Sequence, residues 1–249
     1  MFKKISNISR TIVINTFEGF FYNKKTEIKD LLKHILKTYD IKKLINIATS
    51  SAKIINTEII SKSVNNFEPF GDSGSLLIQA NLKNQKSAVI HLKESHITFH
   101  TYIEDSLENF IIIRFEMHIS SCTDENIFLT LPAIINPDSK NDIEKLNPHL
   151  INIDYLERGV SFNEIKEIDT MFPNNFFKDN FNKYSIMSQI ISKNTQYYSL
   201  LMKESDIKNI FGNDQISKFE TSFLHFKNYL LNAHLNTYNT GTNKKINEN

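Results

Sequence analysis

A single cysteine, Cys122, stands in a chain of 249 residues that also lacks tryptophan and has only six glycines and five prolines. One cysteine excludes an intramolecular disulfide, so nothing in the sequence supports an oxidising compartment. No apolar run approaches the roughly 18 residues that a membrane-spanning helix needs. The N-terminal lysines precede an apolar segment that is short, broken at Asn15 and followed by no small-residue cleavage site. No signal peptide is therefore expected, and a cytoplasmic location is the default. An excess of one charge is missing too: 29 basic and 28 acidic residues leave a formal net charge of +1, which gives no field to draw nucleic acid or an anionic membrane. There is no GxSxG elbow, HExxH, Walker loop or CxxC pair. The scarcity of glycine beside abundant Asn, Ile and Lys reads as a bias of the coding genome.

What is present suits a globular chain. Hydrophobic residues make up 40% and charged residues 23%, enough for a sizeable core in one large domain, with no internal repeat and no dividing linker. Residues 12–21 are apolar and β-prone and predict a first strand. Ile28, Leu31, Leu32, Ile35 and Leu36 follow helical spacing over 27–38, and a second short helix follows from Ile41 to Ala48. Residues 54–60 read as a strand, and 65–78 as a turn built on Pro69, Gly71 and Gly74 followed by a strand. Strands over 88–92 and 96–103 flank a tight turn at Lys93-Glu94-Ser95. Residues 111–121 alternate: Ile113, Phe115, Met117 and Ile119 take one face, and Arg114, Glu116 and His118 take the other. Residues 124–146 suggest a short helix and a loop. A strand over 149–159 closes at Gly159, 160–182 resist assignment, and helices are expected near 184–203 and 214–232. The last of these carries Ile216, Phe219, Phe223, Phe226 and Leu230 as its buried stripe. A disordered tail is expected at 241–249. The sum is an α+β sandwich: an antiparallel β-sheet with helices packed on one face.

Taken one by one, the chemical residues say little. A serine beside a histidine in a strand is usually only that, and a lone cysteine is more often a small buried hydrophobe than a nucleophile. On isolated motifs, an enzyme and a binding module stand level.

Their order along the chain is more specific. FEPFGDSG (67–74), ESHITFHTYIE (94–104), ISSC (119–122) and IDYLERG (153–159) succeed one another. Together with the succession of strands and helices around them, they resemble the S-adenosylmethionine decarboxylase proenzymes in their longer bacterial form, over nearly the whole chain. The resemblance implies that a single domain, 1–249, cuts itself between Glu94 and Ser95 into a β chain (1–94) and an α chain (95–249). The Ser95 hydroxyl would attack the Glu94 carbonyl, turning the peptide bond into an ester. β-Elimination would then release the N-terminal chain, and hydrolysis of the dehydroalanine would leave a pyruvoyl group. That group, the covalent cofactor, would form a Schiff base with S-adenosylmethionine and act as electron sink while carbon dioxide leaves. The product would be the aminopropyl donor for spermidine synthesis.

By the same resemblance His100 and Ser73 assist processing, and Cys122 returns a proton to the substrate. Glu104 holds the ribose hydroxyls and Phe67 stacks on adenine. Phe17 and Glu18 are further candidates, whereas Arg158 and Gly159 take no catalytic role. A homo-oligomer of αβ units is implied. Magnesium is a possible activator, although the sequence shows no ligand cluster for it.

Two departures bear on the substrate side. Ile103 replaces the family's usual proline before Glu104, and Thr123 replaces the usual glycine after Cys122. The alternatives are a pyruvoyl-dependent arginine or ornithine decarboxylase on the same fold, and a non-catalytic regulatory homologue. An intact Phe67 and Glu104 speak against the first, and an intact Ser95, His100 and Cys122 against the second.

Overall fold

The computed structural model describes residues 8–22, 28–67, 71–80, 95–107, 109–123, 125–135, 145–159, 172–192 and 194–235. The expected strand at 88–92, Glu94 and the expected tail at 241–249 lie outside them.

Eight strands form one antiparallel sheet: β1 (Ser9–Phe21), β2 (Thr57–Asn66), β3 (Asp72–Ala80), β4 (His96–Leu107), β5 (Phe110–Ser121), β6 (Leu150–Arg158), β7 (Tyr184–Ser192) and β8 (Thr195–Met202). Their order across the sheet is β2-β3-β4-β5-β1-β6-β8-β7, so the first strand of the sequence lies in the middle, between β5 and β6. The helices are α1 (Ile28–Thr38), α2 (Ile41–Ile54), α3 (Leu131–Ile134), α4 (Phe172–Asn180), α5 (Glu204–Phe211), α6 (Asn213–Lys218) and α7 (Glu220–Leu235), with a 3-10 turn at Ile127–Thr130. Asp40 starts α2 by accepting from the backbone N–H groups of Lys42 and Lys43, at 2.9 and 3.3 Å.

Strand alternation gives the sheet two unlike faces. On β1, Ile12, Ile14, Thr16, Glu18 and Phe20 look toward α1 and α2. The Phe20 ring meets His34 of α1 at 5.7 Å, and Tyr39, just past α1, donates to Glu18 at 2.8 Å. Ile113, Phe115, Met117 and Ile119 of β5 share this side and are fully buried. Phe128, from the 3-10 turn, and Phe177 of α4 extend the same core against Tyr198 of β8, with ring centroids 5.6 and 5.0 Å from it. This is the expected layer of helices on an antiparallel sheet.

The second face adds something. Phe17, Gly19 and Phe21 point the other way, and the C-terminal helices close over them. Phe21 meets Phe211 of α5 at 4.7 Å, and Phe17 meets Tyr229 of α7 at 6.0 Å. Helices thus cover the middle of one face and one end of the other, leaving most of the edge strands β2 and β7 exposed. The cause lies in residues 16–21, TFEGFF, which are apolar on both sides and need cover on both. At Gly19 a Cβ would come within 2.3 Å of the Phe110 ring and 2.8 Å of Phe226, so the approach of α7 depends on the missing side chain.

Three expectations need correction. The segment near 184–203 is not a helix but the β7–β8 hairpin, turning around Asn194. β7 is an edge strand, so Ile190 and Ile191 are exposed and the apolar alternation that marks a half-buried strand is missing. The strand placed at 54–60 begins only at Thr57, because α2 runs through Ile54 and Asn56 makes the turn at φ 54°. The last helix is two, α6 and α7, and they break at Phe219.

Candidate active site

Ser95 stands at the mouth of β4. Its carbonyl accepts from the N–H of Ile78 at 3.2 Å, extending the β3–β4 ladder by one residue and setting the side chain on the helix-covered face with Ile78 and Ile97. It is 1% exposed, and its Oγ has no hydrogen-bond partner among the described residues. A buried hydroxyl normally has a partner, and one without it keeps its lone pairs and proton unengaged.

Cys122 is brought close by register. β4 and β5 pair His96 with Ser120, so one further step sets Ser121 across from Ser95, with Cys122 next along. The turn around the thiol is bonded on both sides. Thr123 donates its N–H to Ser121 Oγ at 3.1 Å, and the two hydroxyls lie 3.0 Å apart. Arg10 Nη1 reaches the Thr123 carbonyl at 2.9 Å.

Ser73 and His100 face each other across β3 and β4, with Ser73 buried and His100 half-buried against the Tyr102 ring at 6.0 Å. They belong to the open face of the sheet. His100 is five residues beyond Ser95, or roughly 17 Å at about 3.4 Å per residue, and on the opposite side. The chain therefore sets Ser95 across from Ser121, one residue before Cys122, and Ser73 across from His100, but does not bring the two pairs together.

Phe67 ends β2 beside the Gly71 turn, where its N–H donates to the Gly71 carbonyl at 2.7 Å; its side chain is 55% exposed. Asp72 fixes that turn to β4, donating its N–H to Thr101 Oγ1 at 2.8 Å. Ile103 sits at a register shift in β4 that leaves Glu104 as the extra residue. Such a bulge re-aims side chains. Glu104 and Asp105 consequently both turn to the open face, Glu104 toward Arg114 and Asp105 toward His225 of α7 at 2.8 Å.

Arg114 is the centre of the open face. Its Nε donates to Glu104 at 2.9 Å, and its Nη1 donates to Glu116 at 2.6 Å and to Asn15 at 3.1 Å. The guanidinium lies 4.3 Å from the centre of the Tyr102 ring. Tyr229 also bonds to Glu104, and burial together with that carboxylate pushes its phenol upward. Beside this network opens a groove of about 440 Å³, lined by Asn15, Phe17, Glu104, Arg114, Asp154 and Tyr229 among others. Below its floor, Ser199 joins Asn152 at 2.7 Å and His234 at 2.6 Å.

Glu18, next to Phe17 but on the other face, is partly buried. Burial raises its carboxyl to about 7, against the opposing effects of the Tyr39 hydrogen bond and the Lys43 charge. Phe17 thus lines the groove and Glu18 does not.

Sequence reasoning put Arg114 and Glu116 on a polar strand face but gave them no role. The missing fact was that β1 lies alongside β5 and β6 alongside β1, which adds Asn15, Asn152 and Asp154; alternation within one strand carries no such information. Among the described residues no group of three or more His, Cys, Asp or Glu side chains could hold a metal ion, and no helix is long and apolar enough to cross a membrane.

The fold and site describe an α+β protein with a buried serine at a strand mouth that has no hydrogen-bond partner among the described residues, a cysteine just past the end of the neighbouring strand, and a charged groove on the sheet's open face. No family model matches the chain. It is similar to an S-adenosylmethionine decarboxylase proenzyme of Clostridium botulinum, 23% identical over 241 residues, covering 85% of this chain and 84% of that protein. A proenzyme of the same name from Alcanivorax borkumensis is 22% identical over 246 residues, covering 86% and 84%. The crystal structure of the adenosylmethionine decarboxylase from Aquifex aeolicus aligns over 66% of this chain at 18% identity, with a TM-score of 0.35, too weak a likeness to bear on the fold.

Proposed function

We propose that this chain is a self-cleaving, pyruvoyl-dependent S-adenosylmethionine decarboxylase of the longer bacterial form. The observation that carries the reading is Ser95: a buried hydroxyl without a partner among the described residues, at the mouth of β4 and one strand from Cys122. The names of the similar proteins support it from a separate direction.

The residues fit the group that Ser95 would become. A pyruvoyl group at the start of β4 would supply the electron sink for loss of carbon dioxide from the substrate amino acid. Burial keeps bulk water from that position, and an unengaged Oγ is free to add to the Glu94 carbonyl. Cys122 is the proton donor, delivering its S–H proton to the substrate α-carbon. Glu104 is nine residues beyond Ser95 along β4 and on the open face, so the groove, like the pair of Ser73 and His100, would serve the Ser95 of a second copy. There Glu104 accepts from the ribose hydroxyls while Arg114 and Tyr229 hold it. Phe17 offers a ring inside the groove; Phe67 offers one from beside the Gly71 turn.

The separation of Ser73 and His100 from Ser95 gives the expected homo-oligomer a purpose. We assign the processing pair at each Ser95 to a second copy of the chain, since one copy cannot span roughly 17 Å along a strand and cross to its other face. No step is assigned to magnesium.

The test is an intact-mass spectrum of the purified protein, followed by release of labelled carbon dioxide. Two chains split before residue 95, the larger beginning with a pyruvoyl group, and release from S-adenosylmethionine are expected. A chain that stays at full length after long incubation refutes the reading. Release from arginine or ornithine alone moves the substrate and keeps the pyruvoyl chemistry.

A further inference from the structure

The turn that carries Cys122 is anchored from outside its own strand. Arg10, near the start of β1, is opposite Ser121 on one side and Glu157 on the other. Its Nε pairs with Glu157 Oε2 at 3.1 Å while its Nη1 donates to the Thr123 carbonyl at 2.9 Å. Glu157 is itself fixed, accepting from the Tyr155 hydroxyl at 3.1 Å. The Arg10 side chain is 12% exposed, so this is a partly desolvated, geometrically committed pair rather than a loose surface contact. On the inner side of the turn, Thr123 bonds to Ser121 through both its N–H and its hydroxyl. Cys122 is thus held between two fixed residues, one of which Arg10 grips by its carbonyl.

We infer that Arg10 is a positioning residue for the Cys122 thiol, with Glu157 as its support. The inference rests on the reading of Cys122 as proton donor. It also accounts for Thr123. A β-branched residue stiffens the backbone at that point, and its hydroxyl gives Ser121 a second contact, while the carbonyl that Arg10 holds is backbone. Proton delivery is sensitive to placement, and a shift near 1 Å can cost roughly a hundredfold. Arg10 makes no hydrogen bond to Ser95 Oγ and does not line the groove, so its effect must pass through the turn. Lysine cannot replace it, since one ammonium on a flexible stem lacks the planar fork that spans Glu157 and Thr123 together.

Because Cys122 is the sole cysteine, its reactivity can be read in the intact full-length chain without background. Arg10→Gln, Arg10→Lys and wild type are compared for the rate of alkylation by iodoacetamide. The uncleaved Ser95→Ala chain, with and without the Arg10 change, repeats the comparison without any prosthetic group. Both Arg10 variants should label several-fold faster. Both should also lose roughly ten- to a hundredfold in kcat at little change in KM. Glu157→Gln should move labelling in the same direction by a smaller factor. Unchanged labelling overturns the inference, even where the melting temperature falls, because a merely structural ion pair would lower stability and leave the thiol as it was. A wild type that labels normally but releases no carbon dioxide from S-adenosylmethionine refutes the proposed function instead, and the labelling comparison still decides whether Arg10 holds the turn.

Discussion

The two faces of the sheet treat polar groups in opposite ways. On the helix-covered face, away from the Arg10–Glu157 pair at its edge, two groups stand nearly alone: Ser95 has no partner among the described residues, and Glu18 has the Tyr39 hydroxyl, with burial lifting its carboxyl to about 7. On the open face they are many and mutually satisfied, with one guanidinium serving Glu104, Glu116 and Asn15. The same strands supply both sets. What differs is dielectric and company: isolation leaves a group's reactivity unspent, whereas a network fixes charges in place to meet a ligand.

The sharpest test of this contrast is all or none. Ser95→Ala should remain one chain on denaturing gels, because the proposed cut begins with attack by that hydroxyl. Ser73→Ala and His100→Ala, from the open face, should slow the cut while leaving the fold intact. Mixed with Ser95→Ala chains, the His100→Ala chains should be cut, each copy lending what the other lacks. Failure of mixing to restore cleavage would break the assignment to a second copy.

Next comes Glu18. An unfolded glutamate titrates near 4.5 and the folded one at about 7, so stability declines as pH rises through that interval. Glu18→Gln, which does not titrate, should flatten the decline and gain on the order of 3 kcal/mol at pH 8. Urea midpoints at pH 5 and 8 measure it. His149 has the reverse sign. Burial holds its imidazole down to about 3, and that contribution is lost as pH falls from near 6.5 toward 3.

On the open face Arg114→Gln and Glu104→Gln should each raise KM for S-adenosylmethionine roughly ten- to hundredfold without slowing self-cleavage. Because the two act as a unit, the double variant should be little worse than either alone. The smallest effect belongs to a rim pair. Asp105→Asn, which breaks the exposed contact with His225, should cost about 0.5 kcal/mol or less by thermal unfolding.

Much of this arrangement was legible in the amino-acid order. Alternation in 111–121 separated the buried face of β5 from the polar one, and the spacing in 27–48 gave the two helices that cover the first. The strand bearing Ser95 and the strand ending before Cys122 were both readable from their composition. Three things were not legible. An edge strand such as β7 is half solvated, so its pattern resembles a helix surface as much as a strand. Register across strands is non-local: nothing in the order of residues says that Asn15 lies beside Arg114. The bulge at Glu104 depends on a backbone irregularity that a single side-chain identity does not encode.

The central position of β1 has a consequence for the cut chain. β1 belongs to the segment before residue 95, yet both of its neighbours, β5 and β6, come after it. Once severed, the shorter piece would have no covalent tie but would remain interlocked, since its departure means tearing open the middle of the sheet. Unfolding would then become hard to reverse. The precursor refolds as one molecule, whereas the mature pair must find each other in solution. Its recovery from denaturant would thus depend on dilution, and severing the bond would turn a concentration-independent equilibrium into a commitment made once, at maturation.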